Sequence, residues 1–411
     1  MKLKYKIPLW VLAVCGLVIL GLSVTVNFKV SVTPQPQASP PATPETYEAR
    51  AADESKNGKI DQAIEDLTKA IQLNPNDAFA YAHRAMARVL KGEYEPAAAD
   101  INKAIQLKPN NAETYATRAG IDVFLGDFTS EVNDCDQAIQ LDPKKGDYYA
   151  RRGAGYSQLG KYYLAIGDCN EAIKLNPNLA NAYATRATAY FNTGATNEAM
   201  DDFNQALRLD PENVENRRNR AVLSLKRGDL DNAIADFSEV IRLEPKAAEA
   251  YRYRGIIYSA KHDFDHAIND FTVLLQLNPT NSEAYKNRMY AYALKGDYQN
   301  TVADCKMLVQ LNPQDAFTGN ELAMILATCP DASVRNGKEA IQVATKACDL
   351  SGWTQPHCIA TLAAAYAEAG DFGHAVQYQK QVLTMPGWTD AEHNDMQTRL
   401  DLYQQSKPYH E

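Results

Sequence analysis

Residues 180–213 read ANAYATRATAYFNTGATNEAMDDFNQALRLDPEN, and their punctuation decides the fold. Pro211 lacks an amide donor and restricts the residue before it, so it marks the end of a helix. Working outward, prolines stand also at 75, 109, 143, 177, 245, 279 and 313, each 34 residues from the next in the series. Gly194, 17 residues before Pro211, has counterparts at Gly58, Gly92, Gly126, Gly160, Gly228 and Gly296, and His262 alone breaks that series. Glycine at such a point lets the chain take a positive φ where a helix stops. Each repeat is therefore expected to be two helices of about 13 residues, each roughly 20 Å long. Small residues stand where the two must approach: Ala187 facing Ala199, Ala85 facing Ala97, Gly153 facing Ala165.

Counting residue 44 as the first position of repeat one, the fourth position holds Tyr47, Tyr81, Tyr115, Tyr149, Tyr183, Tyr251 and Tyr285, with Arg217 the exception. An aromatic there, a small residue at the eighth position, Ala at the twentieth and Pro at the thirty-second resemble the tetratricopeptide repeat family. The resemblance implies an all-α, right-handed α-solenoid of about ten helix pairs, with the first helix of each pair lining a concave groove. Eight regular repeats cover 44–315, two divergent ones 316–388, and a capping helix with its tail 389–411. Thr389 with Glu392 forms a capping-box pattern at the start of that last helix. Repeat three carries Glu131 where Ala is usual, which is expected either to bend the stack or to serve binding.

The first 32 residues differ in kind. Lys2, Lys4 and Lys6 precede Ile7 to Val26, a stretch without charge and long enough to cross a hydrocarbon core of about 30 Å. The lysine bias favours the N-terminus in the cytoplasm and the repeats outside. A cleaved signal peptide, leaving a secreted or periplasmic protein, is the competing reading, since Gly21 and Ser23 are small. Residues 33–43 are a proline-rich linker that stiffens the connection.

Two positions are uniform. The seventh is Arg in all eight regular repeats, from Arg50 to Arg288, and the twenty-third is Asp, from Asp66 to Asp304. Antiparallel helices bring these to one height, so a ladder of eight ion pairs is expected rather than a basic track for an acidic polymer.

Groove positions, by the resemblance, vary along the chain. In repeats two and three they include Met86 and Phe124, with Phe79, Val89, Leu90 and Val123, an apolar trough that reads equally as inter-repeat core. In repeats six to eight, Arg218 with Asn219, Arg252 with Tyr253, and Lys286 with Asn287 make a basic stripe with amide donors beside it. Such a stripe suits an extended peptide bearing carboxylates. Glu215, Glu249 and Glu283, three residues earlier on the same helices, are placed to neutralise it. The ninth position carries no asparagine, so the carboxylate clamp known in the family is not expected.

No catalytic or metal-binding pattern emerges. Cys135, Cys169 and Cys305 share the twenty-fourth position with Phe203, Phe237 and Phe271 and read as core. Cys348 and Cys358 flank one loop and are candidates for a disulfide in an oxidising compartment. His262 and His266 lie four apart, but His262 stands at a turn. Among 411 residues, 45% are hydrophobic and the net charge is -9, so a folded chain without a basic face for nucleic acid is expected. No cofactor is implied. The function expected is a membrane-anchored, non-catalytic scaffold for proteins or extended peptides; the alternative is an assembly or regulatory subunit of a membrane enzyme complex.

Overall fold

A computed structural model describes residues 43–386 and 388–410. The expected membrane-spanning stretch 7–26, its competing cleavage site and the linker up to residue 42 lie outside the described residues. Among the described residues there is no strand, and no helix is long and apolar enough to cross a membrane.

The described chain is all-α. Helix pairs follow one another as Pro44–Lys56 with Ile60–Leu73, Ala78–Lys91 with Tyr94–Leu107, Ala112–Leu125 with Phe128–Leu141, Gly146–Gln158 with Tyr162–Leu175, and Ala180–Thr193 with Thr196–Leu209. They continue as Val214–Lys226, Leu230–Leu243, Ala248–Ala260 with Phe264–Leu277, Ser282–Lys295 with Tyr298–Leu311, Ala316–Thr328 with Gly337–Leu350, and Pro356–Glu368 with Phe372–Leu383. Asp390–Gln404 comes last, opened by the Thr389–Glu392 capping box. The chain divides between Asp229 and Leu230 into two compact halves. Within each half, paired helices pack on each other and on the next repeat, the arrangement of an α-solenoid.

Local chemistry accounts for the pairs. Gly194 closes its helix at φ 84°, and the other turn glycines repeat that conformation, while His262 takes φ 59° in their place. Asp77, Asn111, Asn213, Asn281 and Asp315 cap first helices by accepting backbone N–H bonds. Ala85 and Ala97 are fully buried in one cluster, as are Ala187 and Ala199 in another. A Cβ on Gly153 would meet Cys169 Sγ at 3.0 Å and the Ala165 carbonyl at 3.2 Å, so that crossing admits no side chain.

Seven expected ion pairs form within the halves. Arg186 donates from Nε and Nη2 to Asp202 at 2.7 and 2.8 Å, a bidentate bond. Arg84–Asp100, Arg118–Asp134, Arg152–Asp168, Arg254–Asp270 and Arg288–Asp304 repeat it, and Arg50 pairs with Asp66. Of the remaining two, Arg220 belongs to the first half and Asp236 to the second.

The sequence reading missed a third bond, made by the ladder arginine of every regular repeat after the first. Arg186 Nη1 donates to Asn170 Oδ1 of the preceding repeat at 2.6 Å. Thr68, Asn102, Asp136, Asn204, Ser238 and Thr272 accept in the same way from Arg84, Arg118, Arg152, Arg220, Arg254 and Arg288. Arg84, Arg118, Arg152, Arg186, Arg254 and Arg288 thus each tie their own helix pair and fasten it to the previous one, while lying about 5–6 Å above the ring of the tyrosine three residues earlier.

The device stops after repeat eight. Lys306 stands where the acceptor should be and bonds Glu339 at 2.7 Å instead. In repeat nine, Gly319, Leu322 and Val343 replace the tyrosine, arginine and aspartate together. Apolar clusters around Leu322, Leu326, Ile359 and Leu362 carry that end of the chain.

Candidate protein-binding surfaces

The expected binding residues fall into both halves, and each half is described by itself. In the first, Arg218 donates to Glu215 at 3.0 Å, the neutralising contact foreseen from their spacing. Asn219 beside it is partly buried. Phe124 stacks on Tyr94, ring centroids 4.7 Å apart, and packs with Val89 in the core of repeats two and three. Met86 is partly buried on the same helix as Phe79. Phe79 is 51% exposed, and Lys108 Nζ lies 4.5 Å from its ring centroid.

In the second half the stripe separates. Arg252 lies 4.1 Å above the Tyr253 ring, which itself stacks on Phe237, and approaches Glu283 of the next repeat at 3.6 Å. Glu283 therefore serves Arg252 and not Lys286, its neighbour three residues on. Lys286 is exposed, forms no ion pair among the described residues, and stands 5.9 and 5.8 Å from the rings of Tyr290 and Phe317. Asn287 next to it is partly buried. Phe317 is 60% exposed and Leu294 68%, large values for apolar groups. Tyr290 donates its hydroxyl to Glu321 at 3.0 Å, which fixes the ring beside the ammonium. Phe317, Leu294 and Glu321 were not among the expected site residues. Phe317 and Glu321 hold the second and sixth positions of repeat nine, one repeat beyond the residues read, and Leu294 the thirteenth of repeat eight, so the groove positions pointed to all three.

A second cluster surrounds Glu131. This side chain is 2% exposed, and burial raises its carboxyl from the usual 4.5 to about 8, Arg151 opposing the rise and Asp122 adding to it. Asp122, buried on the preceding helix, rises to about 7 for the same first reason. The room that alanine leaves elsewhere is made here by Gly155: a Cβ at 155 would meet Val132 Cγ2 at 2.9 Å and Glu131 Oε2 at 3.0 Å. Glu131 is thus accommodated by its neighbour's lack of a side chain, a compensation one repeat away that a position-by-position reading does not reveal.

Burial favours the protonated thiol at Cys135, Cys169, Cys305, Cys348 and Cys358. Cys169, Cys305 and Cys348 are raised by burial to about 12, and Cys135 further. Cys348 and Cys358 share one apolar cluster as thiols, with no bond between them. His266 pairs with Asp263 at 2.8 Å and stacks on Tyr258, whereas His262 meets the edge of Phe264.

Family profiles of the tetratricopeptide repeat match residues 49–112, 146–179, 180–213, 218–261 and 248–281. A comparison with curated proteins returns no match. Among solved structures, a tetratricopeptide repeat protein from Parabacteroides merdae is 21% identical, with 60% of this chain and 98% of that one covered at a TM-score of 0.47. YrrB, a tetratricopeptide repeat protein with an unusual peptide-binding site, is 23% identical over 46% of this chain and 97% of its own at 0.36. MamA from Desulfovibrio magneticus is 22% identical over 41% and 96% at 0.37. Three of the profile matches begin and end on the boundaries that the prolines and tyrosines set, and the helices keep the same register. The chain belongs to the tetratricopeptide repeat family.

Proposed function

We propose that this protein is a non-catalytic scaffold that holds an extended segment of a partner protein, tethered to a membrane through residues 7–26 with its repeats outside the cytoplasm. One observation carries the binding part: Lys286, in no salt bridge among the described residues and near a Glu321 carboxylate that Tyr290 already holds, stands by two exposed rings, with Leu294 exposed on the same helix. An ammonium flanked by apolar area suits a segment that brings a carboxylate next to a hydrophobic side chain. Supporting the absence of catalysis, the buried thiols are held neutral and so lack the thiolate that a nucleophile needs.

The test is recovery of partners with the full chain from its own membranes, comparing wild type with a variant carrying K286E and F317S. Loss of a specific partner supports the reading. Equal recovery of every partner refutes it. Exchanging residues 7–26 for an unrelated span separates simple tethering from assembly within a membrane enzyme complex. Only the second loses function when the span is changed.

A further inference from the structure

Repeat nine contains a pocket of about 280 Å³ where seven of the eight regular repeats hold a tyrosine ring. Its floor is Gly319, whose added Cβ would meet nothing nearer than the Ala347 Cβ at 3.8 Å. Val309 of the preceding repeat, Val343 and Ala347 form its walls, and Pro313 and Lys346 stand at the exposed rim. Gly319 is the fourth residue of its helix, the place of Tyr47, Tyr81, Tyr115, Tyr149, Tyr183, Tyr251 and Tyr285 in theirs.

The walls match the surroundings of those tyrosines. Tyr81 packs in a cluster with Ile71 and Tyr285 in one with Leu275, both equivalents of Val309. Tyr149 packs with Ala172 and Tyr285 with Leu308, equivalents of Ala347. Lys346, the tenth residue of its helix, corresponds to Lys69, whose Nζ lies 5.9 Å from the Tyr47 ring. Lys346 has no ring and no ion pair of its own among the described residues. Repeat ten fills the same place with buried Ile359, so the vacancy belongs to repeat nine.

We propose that this pocket is a second binding site, which takes one aromatic side chain, tyrosine or phenylalanine, from a protein partner. The repeat supplies the argument for the occupant: the slot is shaped by a fold that elsewhere closes on a phenol ring, and Lys346 at its rim is placed to face a bound ring as Lys69 faces Tyr47 in repeat one. An apolar cavity of about 150 Å³ already admits benzene, so the volume here is sufficient for a ring with its β-carbon. This inference is independent of the Lys286 surface.

The experiment uses the full chain with methyl-labelled Val and Ala, titrated with N-acetyl-tyrosinamide, N-acetyl-phenylalaninamide and N-acetyl-leucinamide. The aromatic probes are expected to shift the Val309, Val343 and Ala347 methyls, and the leucine probe to leave them in place. G319Y, which restores the repeat's own ring, is expected to abolish the response and to raise the melting temperature. G319A adds only a Cβ and keeps the response. Panning a random peptide library on wild type with counter-selection on G319Y is expected to enrich an aromatic residue at one shared position. Unmoved methyls, an equal response to leucine, a response that persists in G319Y, or selected peptides without a shared aromatic would each overturn the proposal.

Discussion

Replacing Glu131 with glutamine removes a titration that the fold places in the physiological range. In the unfolded chain this carboxyl titrates near 4.5, and in the folded chain near 8. The folded state therefore favours the protonated acid: its contribution is fully present below pH 4.5 and is lost as the pH rises through about 8. At about 1.4 kcal/mol per pH unit, the loss between pH 5 and pH 8 amounts to about 3–4 kcal/mol, an order-of-magnitude figure. Glutamine has the same shape and does not ionise, so E131Q should match wild type near pH 5 and exceed it by that amount at pH 8. Asp122 titrates in the same window and is present in both proteins, so the difference between them reports Glu131 together with its repulsion by Asp122. Solenoids open locally, which makes hydrogen exchange in Phe128–Leu141 at several pH values the suitable assay. A difference between E131Q and wild type that stays constant from pH 5 to 8 would refute the reasoning, because a buried neutral acid is its only source.

Three further outcomes follow from the rungs and turns. A double-mutant cycle on Arg186 and Asp202 should give a coupling of about 1–3 kcal/mol, read by urea denaturation, because the bidentate bond is largely buried. N170A should cost about 1 kcal/mol and loosen repeat five from repeat four, seen as faster exchange in Ala180–Thr193 with little change in Tyr162–Leu175. H262G should raise the melting temperature modestly, by roughly 0.5–1 kcal/mol of stability, since it relieves a side chain held at φ 59°. Failure of H262G to stabilise would mean that the edge contact with Phe264 outweighs that strain.

Legibility in the sequence follows how local each determinant is. Pro211 and Gly194 act through their own backbone, so the helix boundaries could be read without tertiary knowledge. The Arg186–Asp202 pair was legible because both residues lie in one hairpin of known length. Its third bond, to Asn170, depends on the stacking of two repeats, and the accepting position varies among Thr, Asn, Asp and Ser. A uniform hydrogen-bonding role was hidden there by varied residues. Glu131 showed the same limit, since the space for it is supplied by Gly155 in the next repeat. At the candidate site, charge was easy to see and its allocation was not: Glu283 turns to Arg252, which leaves Lys286 to the rings.

The change of chemistry after repeat eight divides the responses to solvent and temperature. Up to Asp304, arginine bonds hold each repeat, and cooling leaves such polar contacts largely intact. Beyond Leu322, the ladder is gone and the joints rest mainly on apolar side chains, with Arg335–Glu368 as one ion pair between repeats, and the tendency of apolar groups to leave water fades as temperature falls. Chilling, or mild denaturant near freezing, should accordingly fray the molecule from its carboxyl end, giving proteases their earliest access among the last helices.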